Sequence, residues 1–375
     1  MLPSRFTKFS HIISVLLRND VIVPNQGIFI ESIETKPNNE IDLVGKVISS
    51  FNAAKQVQNK MPKPYLPSGG WEKFLNNEWQ KNYYDATSQK NVTTMAALLR
   101  NFFRNEAISG IWGNEKMFNR FCHLSKLEAL FKSNLIKSHY VVWKNTFPTV
   151  PLKELEAPKF GNPWGYRFDN TLLYEPVFEY NFHAHYFDNL LHNLQNPVVV
   201  EIGGGFGGLA YQLLCCRSSI KYIGFDLPEN ILIQTYYLSC TFPNAKILTY
   251  SGDSVPLTSE LLEHYDIVLL PNFELPQLES SIADIIINIR SLSEMSKETI
   301  IEYFNQIDRI GRLFFYHENI YKPRSDGLFG IPSTDFPALN NFVLASASET
   351  RWPKYQSDSG YPCQENLFIH RNVLR

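Results

Sequence analysis

The segment VVVEIGGGFGGLAYQLL, Val198 to Leu214, runs a β-branched apolar stretch into five glycines within six positions, Gly203, Gly204, Gly205, Gly207 and Gly208, and then into a second apolar stretch. Glycine loses more conformational freedom on folding than any other residue, so such a cluster needs a use: positive φ in a tight turn, and bare backbone against which a ligand can press. The preceding run is apolar at nearly every position, which fits a strand buried on both faces rather than on one. The following run has the length of a helix, and a helix N-terminus behind a glycine turn is a place for an anionic or nucleotide-type ligand. A strand–turn–helix unit of this kind restricts the chain to the α/β folds.

From Pro197 onward the sequence keeps that alternation, as a parallel sheet covered on both faces requires. IKYIGFD is a second strand ending in Asp226, and PENILIQTYYLSCTF is its helix, with Pro228 in the first turn. AKILTY and YDIVLLPNF follow; one is the third strand and the other an addition. ADIIINI is a strand, SKETIIEYFNQIDRIG a helix with Ser296 as N-cap and Gly311 as C-cap, and RLFFYHEN the next strand. NFVLASASET and ENLFIHRNV have no helix between them and read as an antiparallel pair at the sheet edge. The first half is different. TTMAALLRNFFRN sets Met95, Leu98, Leu99, Phe102 and Phe103 on one helical face, and FNRFCHLSKLEALF continues the pattern with Phe118, Phe121, Cys122 and Leu127. MPKPYLPSGG is a punctuating loop, and APKFGNPWGYRFDN, Ala157 to Asn170, a loop rich in glycine, proline and aromatics. The expected organisation is a mostly helical region over 1–195 and a Rossmann-like sheet domain over 196–375.

Charge and cysteine usage narrow the function classes. Lys plus Arg number 35 against 37 Asp plus Glu, with no run of five like charges, so the footprint of a nucleic-acid binder is missing. Five scattered cysteines without metal-type spacing fit a reducing compartment, and the apolar run HIISVLL is far too short to span a bilayer. The expectation is a cytoplasmic protein acting on a small molecule or glycan. No metal is expected: His183 and His185, two apart on a helix, diverge.

The glycines satisfy two templates. Gly203, Gly205 and Gly208 spell the G-x-G-x-x-G of dinucleotide binding, whereas Glu201, Gly203, Gly205 and Gly207 spell the E-x-G-x-G-x-G of S-adenosylmethionine enzymes. Asp226, nineteen residues past Gly207 at the end of the second strand, suits both, since a carboxylate there accepts from ribose hydroxyls. Glu201 favours the second template, because a methionine ammonium wants a carboxylate where a dinucleotide site is apolar. The late position of the motif, the lack of a second nucleotide half and the closing strand pair point the same way. An NAD-dependent oxidoreductase and a catalytically inactive binding module of methyltransferase fold remain the alternatives.

EIGGGFGGLA, GFDLPENILIQTYYLS and DIIINIRSLSEMSKETIIEYFNQIDRI together resemble the sugar O-methyltransferase family of class I S-adenosylmethionine-dependent enzymes, over about Leu190 to Tyr321. The resemblance implies a seven-stranded class I methyltransferase sheet, S-adenosyl-L-methionine as methyl donor, and a sugar hydroxyl as acceptor. On this reading Glu201, Gly203, Gly205, Gly207, Asp226, Leu227, Asn272 and Asn288 hold the donor. A sugar hydroxyl needs a base near it, and Glu294 and His317, in loops at the carboxyl ends of strands, are the candidates. Trp164, Tyr166, His183 and Ser291 are candidates for the acceptor side.

Overall fold

The computed structural model describes residues 2–18, 20–75, 78–105, 115–322, 330–356 and 361–374. Its strands are β1 (Gln26–Phe29), β2 (Gly165–Phe168), β3 (Thr171–Leu173), β4 (Val198–Ile202), β5 (Lys221–Asp226), β6 (Ile247–Thr249), β7 (Ile267–Pro271), β8 (Ala283–Ile289), β9 (Gly311–Ile320), β10 (Phe342–Glu349) and β11 (Cys363–His370). The main helices are α1 (Leu2–Leu17), α2 (Glu40–Gln58), α3 (Gly70–Phe74), α4 (Glu78–Ser88), α5 (Val92–Arg100), α6 (Glu115–Cys122), α7 (Lys126–Thr146), α8 (Val177–Leu190), α9 (Gly208–Cys216), α10 (Pro228–Thr241), α11 (Ser259–Glu263) and α12 (Lys297–Ile310).

The eight strands β4 to β11 form one sheet in the order β10-β11-β9-β8-β4-β5-β7-β6, parallel from β9 to β6 and closed by the antiparallel pair β11 and β10. This is the Rossmann-like class I methyltransferase sheet with one strand added. YDIVLLPNF supplies β7 beside β5, and AKILTY supplies the short outer strand β6. The chain leaves β4 toward β5 on one side and returns to β8 on the other, so the order reverses at the carboxyl end of β4, where open α/β sheets hold their ligands.

Alternate residues of each strand feed two apolar layers. Val199, Tyr222, Leu269, Ile285 and Tyr316 face the layer that contains α8, α9, α10 and the N-terminal helices. Val200, Ile223, Val268, Ile286 and Phe315 face the layer of α12. The first layer runs without a break from Val44 and Phe51 in α2 to Leu209 in α9, so residues on both sides of position 195 share one core.

Local sequence sets the ends of the helices. Ser125 accepts from the backbone N–H of Glu128 while the Glu128 carboxylate accepts from the Ser125 N–H, a capping box that starts α7. The apolar periodicity around Phe118 to Leu127 therefore belongs to two helices, α6 and α7, and Leu127 is exposed. The helix expected to run through Phe103 likewise stops at Arg100, and Phe102 and Phe103 lie in a single 3-10 turn. Pro228 opens α10, and the Ser296 side chain accepts from Thr299 N at the start of α12. The aromatic loop from Ala157 holds strand β2, which pairs with β1 and β3 in a small antiparallel sheet.

Phe103 joins the two halves. Its ring is 2% exposed and packs at 4.3 Å from Phe102, 5.1 Å from Phe206 in the glycine turn, and 6.2 Å from Tyr174. Phe103→Ala should lower the unfolding free energy by about 3–5 kcal/mol through the lost contacts and the cavity left behind. A urea melt read by far-ultraviolet circular dichroism checks this; an unchanged midpoint would show that the two halves are not held by this cluster.

Candidate functional site

The carboxyl ends of β4, β5, β7 and β8 open into a cavity of about 310 Å³. One wall is the glycine turn. Gly203, Gly205 and Gly207 have φ of +79°, +59° and +92°, a backbone that side chains rarely adopt. Gly203 has a second reason to be glycine: a Cβ there would stand 2.1 Å from Ser291 Oγ. Gly203, Gly204 and Gly205 line the cavity. Gly207 does not; it caps α9 and abuts Gln234 and Leu238 of α10, so it serves the turn rather than the cavity.

Two buried carboxylates stand beside the turn. Asp226 Oδ2 accepts from Gly205 N at 2.9 Å, and Oδ1 accepts from Leu227 N at 2.7 Å and Asn230 Nδ2 at 2.8 Å. Glu201 Oε2 accepts from Tyr222 Oη at 2.5 Å, and Gln234 Nε2 donates in turn to Tyr222 Oη at 3.1 Å. Burial pushes Glu201 up to about 7, against the Tyr222 hydroxyl. Burial also pushes Asp226 up to about 6, against its three donors. A cation placed beside either group would favour its ionised form.

Asn272 lies at the same end. Its Nδ2 donates to the Tyr65 carbonyl at 3.0 Å and to Tyr303 Oη at 2.9 Å. The carbonyl partner can only accept, so the orientation of the amide is fixed. Asn272 lines the cavity, and its Oδ1 is left buried without a hydrogen-bond partner. Glu294 also lines the cavity and accepts from Trp71 Nε1 at 3.1 Å and Tyr361 Oη at 3.4 Å.

The remaining sequence candidates separate into wall and scaffold. Leu227 and Ser291 line the cavity. Asn288 does not: fully buried, it donates to Ile202 O at 2.8 Å and to Ser291 Oγ at 2.5 Å, while its Oδ1 accepts from Leu292 N and Asn319 Nδ2. It holds the wall from behind. His317 lies outside the wall among Phe315, Phe336 and Phe368, and burial pushes its ring down to about 3, which leaves it neutral. His183 is buried beside Tyr316 Oη at 3.1 Å and Glu318, and His185 sits against Phe147. Trp164 and Tyr166, expected to line the acceptor side, are core residues: Trp164 Nε1 donates to Phe103 O, and both rings pack on Phe121. The aromatic rings that do line the cavity include Trp71, Tyr180 and Tyr355.

Sequence reasoning passed over the segment Leu66–Trp71, which covers the cavity as a strap. Its signal was present in YLPSGGW, an aromatic-flanked proline and glycine stretch, but nothing local ties it to Asn272 and Glu294, more than 200 positions away. Ser296 N donates to Ser68 Oγ at 3.0 Å, and a Cβ on Gly69, at φ +61°, would stand 2.6 Å from the Glu294 carbonyl oxygen. Among the described residues no group of His, Cys, Asp and Glu could hold a metal ion, and no helix is long and apolar enough to cross a membrane.

No protein-family model matches this sequence, and no curated protein does. Solved structures with a similar fold include magnesium protoporphyrin IX methyltransferase (ChlM) from Synechocystis PCC 6803 with bound SAH, at 13% identity and a TM-score of 0.35 over 52% of this chain and 84% of that one. The pyocyanin biosynthetic protein PhzM matches at 12% identity and a TM-score of 0.35 over 52% of this chain and 56% of its own. Geranyl diphosphate C-methyltransferase from Streptomyces coelicolor A3(2) matches at 10% identity and a TM-score of 0.35 over 50% of this chain and 78% of its own.

The raised carboxyl groups carry a pH signature. A carboxyl whose pKa is higher folded than unfolded contributes stability that is complete below the unfolded value and lost as pH rises through the folded one. For Glu201 that window runs from the ordinary 4.5 to about 7. The ligand-free melting temperature of wild type should therefore fall relative to that of Glu201→Gln between about pH 5 and pH 8. Parallel melting curves across that range would refute the assignment.

Proposed function

We propose that the protein is an S-adenosylmethionine-dependent O-methyltransferase whose acceptor is the hydroxyl of a sugar-sized molecule. The observation that carries the reading is that the glycine turn, Asp226 and Asn272 line one cavity, the Asn272 Oδ1 being a buried acceptor without a partner. An exocyclic adenine amine would satisfy that oxygen, the Asp226 carboxylate would take the ribose hydroxyls, and Glu201 a methionine ammonium. The donor, when bound, supplies an electrophilic methyl group on sulfur.

The chain's own residues then have four tasks. Gly203 to Gly205 present bare backbone so that the donor can lie close to the sheet. Leu66 to Trp71 exclude water from above. Glu294 accepts the acceptor's hydroxyl proton on a carboxylate oxygen, and Trp71 Nε1 and Tyr361 Oη hold that carboxylate in place. Trp71, Tyr180 and Tyr355 offer flat faces to a ring-shaped acceptor. The division of labour follows: the helical region over 1–195, through its strap and α8, covers the acceptor side, and the sheet domain over 196–375 holds the donor.

Calorimetric titration with S-adenosylhomocysteine should give saturable binding, and a parallel titration with NAD should give none. Asp226→Asn should weaken S-adenosylhomocysteine at least tenfold, the scale of one charge-assisted hydrogen bond of about 1.5–3 kcal/mol. NAD binding, or unchanged affinity in the variant, would overturn the donor assignment.

A further inference from the structure

Arg290 and Lys354 are the Arg, Lys or His side chains among the described residues that line the cavity. They come from distant parts of the chain, yet they meet on one ring: the Arg290 guanidinium lies 4.1 Å from the Tyr355 ring centroid and the Lys354 ammonium 5.2 Å from it. The lining carboxylates are Glu201, Asp226 and Glu294. The first two belong to the donor and the third to proton transfer. The two cations have no part in the chemistry described so far.

Their counter-charges stand behind them, away from the cavity. Arg290 Nη2 donates to Glu179 Oε2 at 2.7 Å. Arg290 Nη1 lies 3.3 Å from Glu318 Oε1 but makes no hydrogen bond, and its atom is buried. Lys354 is 2.8 Å from Glu175, which also pairs with Lys132 at 3.2 Å. Glu175, Glu179 and Glu318 are at most 1% exposed and do not line the cavity. Burial pushes Glu318 up to about 8, against the pull of Arg290. Arg290 and Lys354 thus line the cavity while the carboxylates that pair with them do not.

The backbone holds Arg290 in this position. Its φ is +65°, in the left-handed region that a non-glycine residue occupies only under constraint, and its N–H donates to Glu318 O at 2.6 Å. The planar fork of a guanidinium so fixed suits a carboxylate better than a point charge would. Resting on the methyltransferase reading above, we propose that Arg290 and Lys354 receive a carboxylate carried by the acceptor, so that the substrate is an acidic sugar of the hexuronic-acid class rather than a neutral one.

The test is a set of calorimetric titrations, with and without saturating S-adenosylhomocysteine, using the p-nitrophenyl β-glycosides of glucuronic and galacturonic acid against those of glucose and galactose. At least one acid should bind about tenfold or more tightly than its neutral counterpart, with a preference that shrinks as salt rises. Arg290→Gln and Lys354→Gln should each remove most of that preference while leaving S-adenosylhomocysteine affinity within about twofold of wild type. Because Arg290→Gln uncovers buried carboxylates, Lys354→Gln decides if the former does not fold. Equal binding of acids and neutral sugars, no binding of any acid, or a preference that survives Lys354→Gln would overturn the proposal. The donor's own carboxylate is the rival source of the same chemistry. If the variants weaken S-adenosylhomocysteine but not methylthioadenosine, which lacks the amino-acid end, the corner belongs to the donor and the proposal fails. Failure of wild type to bind S-adenosylhomocysteine would instead refute the donor reading, and the titrations without it would still report on the corner.

Discussion

The close approach of two loops at the carboxyl end of the sheet sets the geometry of the whole site. The turn after β4 and the turn after β8 touch where Ser291 fills the space that a side chain at Gly203 would need. Asn288 fastens them: its amide bonds Ile202 O on one loop and Ser291 Oγ on the other, and Asn319 Nδ2 and Leu292 N complete its carbonyl. Asn319 Oδ1 in turn accepts from Ser293 N. A buried polar network with every member satisfied is rigid, because breaking any bond would leave a desolvated group without a partner. Glycines in the first turn and an asparagine in the second are thus one device, and the cavity is the space that it leaves open.

A second constraint lies behind the opposite wall. Glu175 and Glu179 enter through α8 and the turn before it, Glu318 through β9, and their cations come from α7 (Lys132), the loop after β8 (Arg290) and the segment before β11 (Lys354). Carboxyl groups buried as deeply as Glu175, Glu179 and Glu318 are costly unless a cation stands beside them. The pairing therefore fixes how α7, α8 and the C-terminal segment meet the sheet. It also explains why α8 carries the buried Glu179.

The strap over the cavity is anchored on the segments after β7 and β8 and on α12. Tyr65 holds Asn272 through its carbonyl and Glu302 through its hydroxyl at 2.7 Å, and Trp71 reaches Glu294. A group proposed to read the donor and a group proposed to take the acceptor's proton are therefore oriented by residues within one short segment, and each anchor crosses more than 200 positions of sequence.

Local rules made the sheet legible. Glycine after a strand, proline at the first turn of α10 and serine at the start of α12 each act through their own backbone neighbours, and Glu201 and Asp226 stand on neighbouring strands beside the glycine turn. The same rules misread elements whose state is set by distant contacts. Trp164 and Tyr166 had the composition of a ligand loop, but β2 pairs with β1 across more than 130 residues and turns both rings into the core. His317 had the chemistry of a base, yet its strand position points it among phenylalanines. Leu66 to Trp71 had no periodicity to mark it. By itself the sequence determined an α/β sheet with a glycine turn and two carboxylates at its carboxyl end, because strand alternation and turn chemistry are short-range. Only the tertiary structure decided which aromatic rings, which cations and which carboxylate face the cavity, because orientation depends on packing partners that local sequence does not encode.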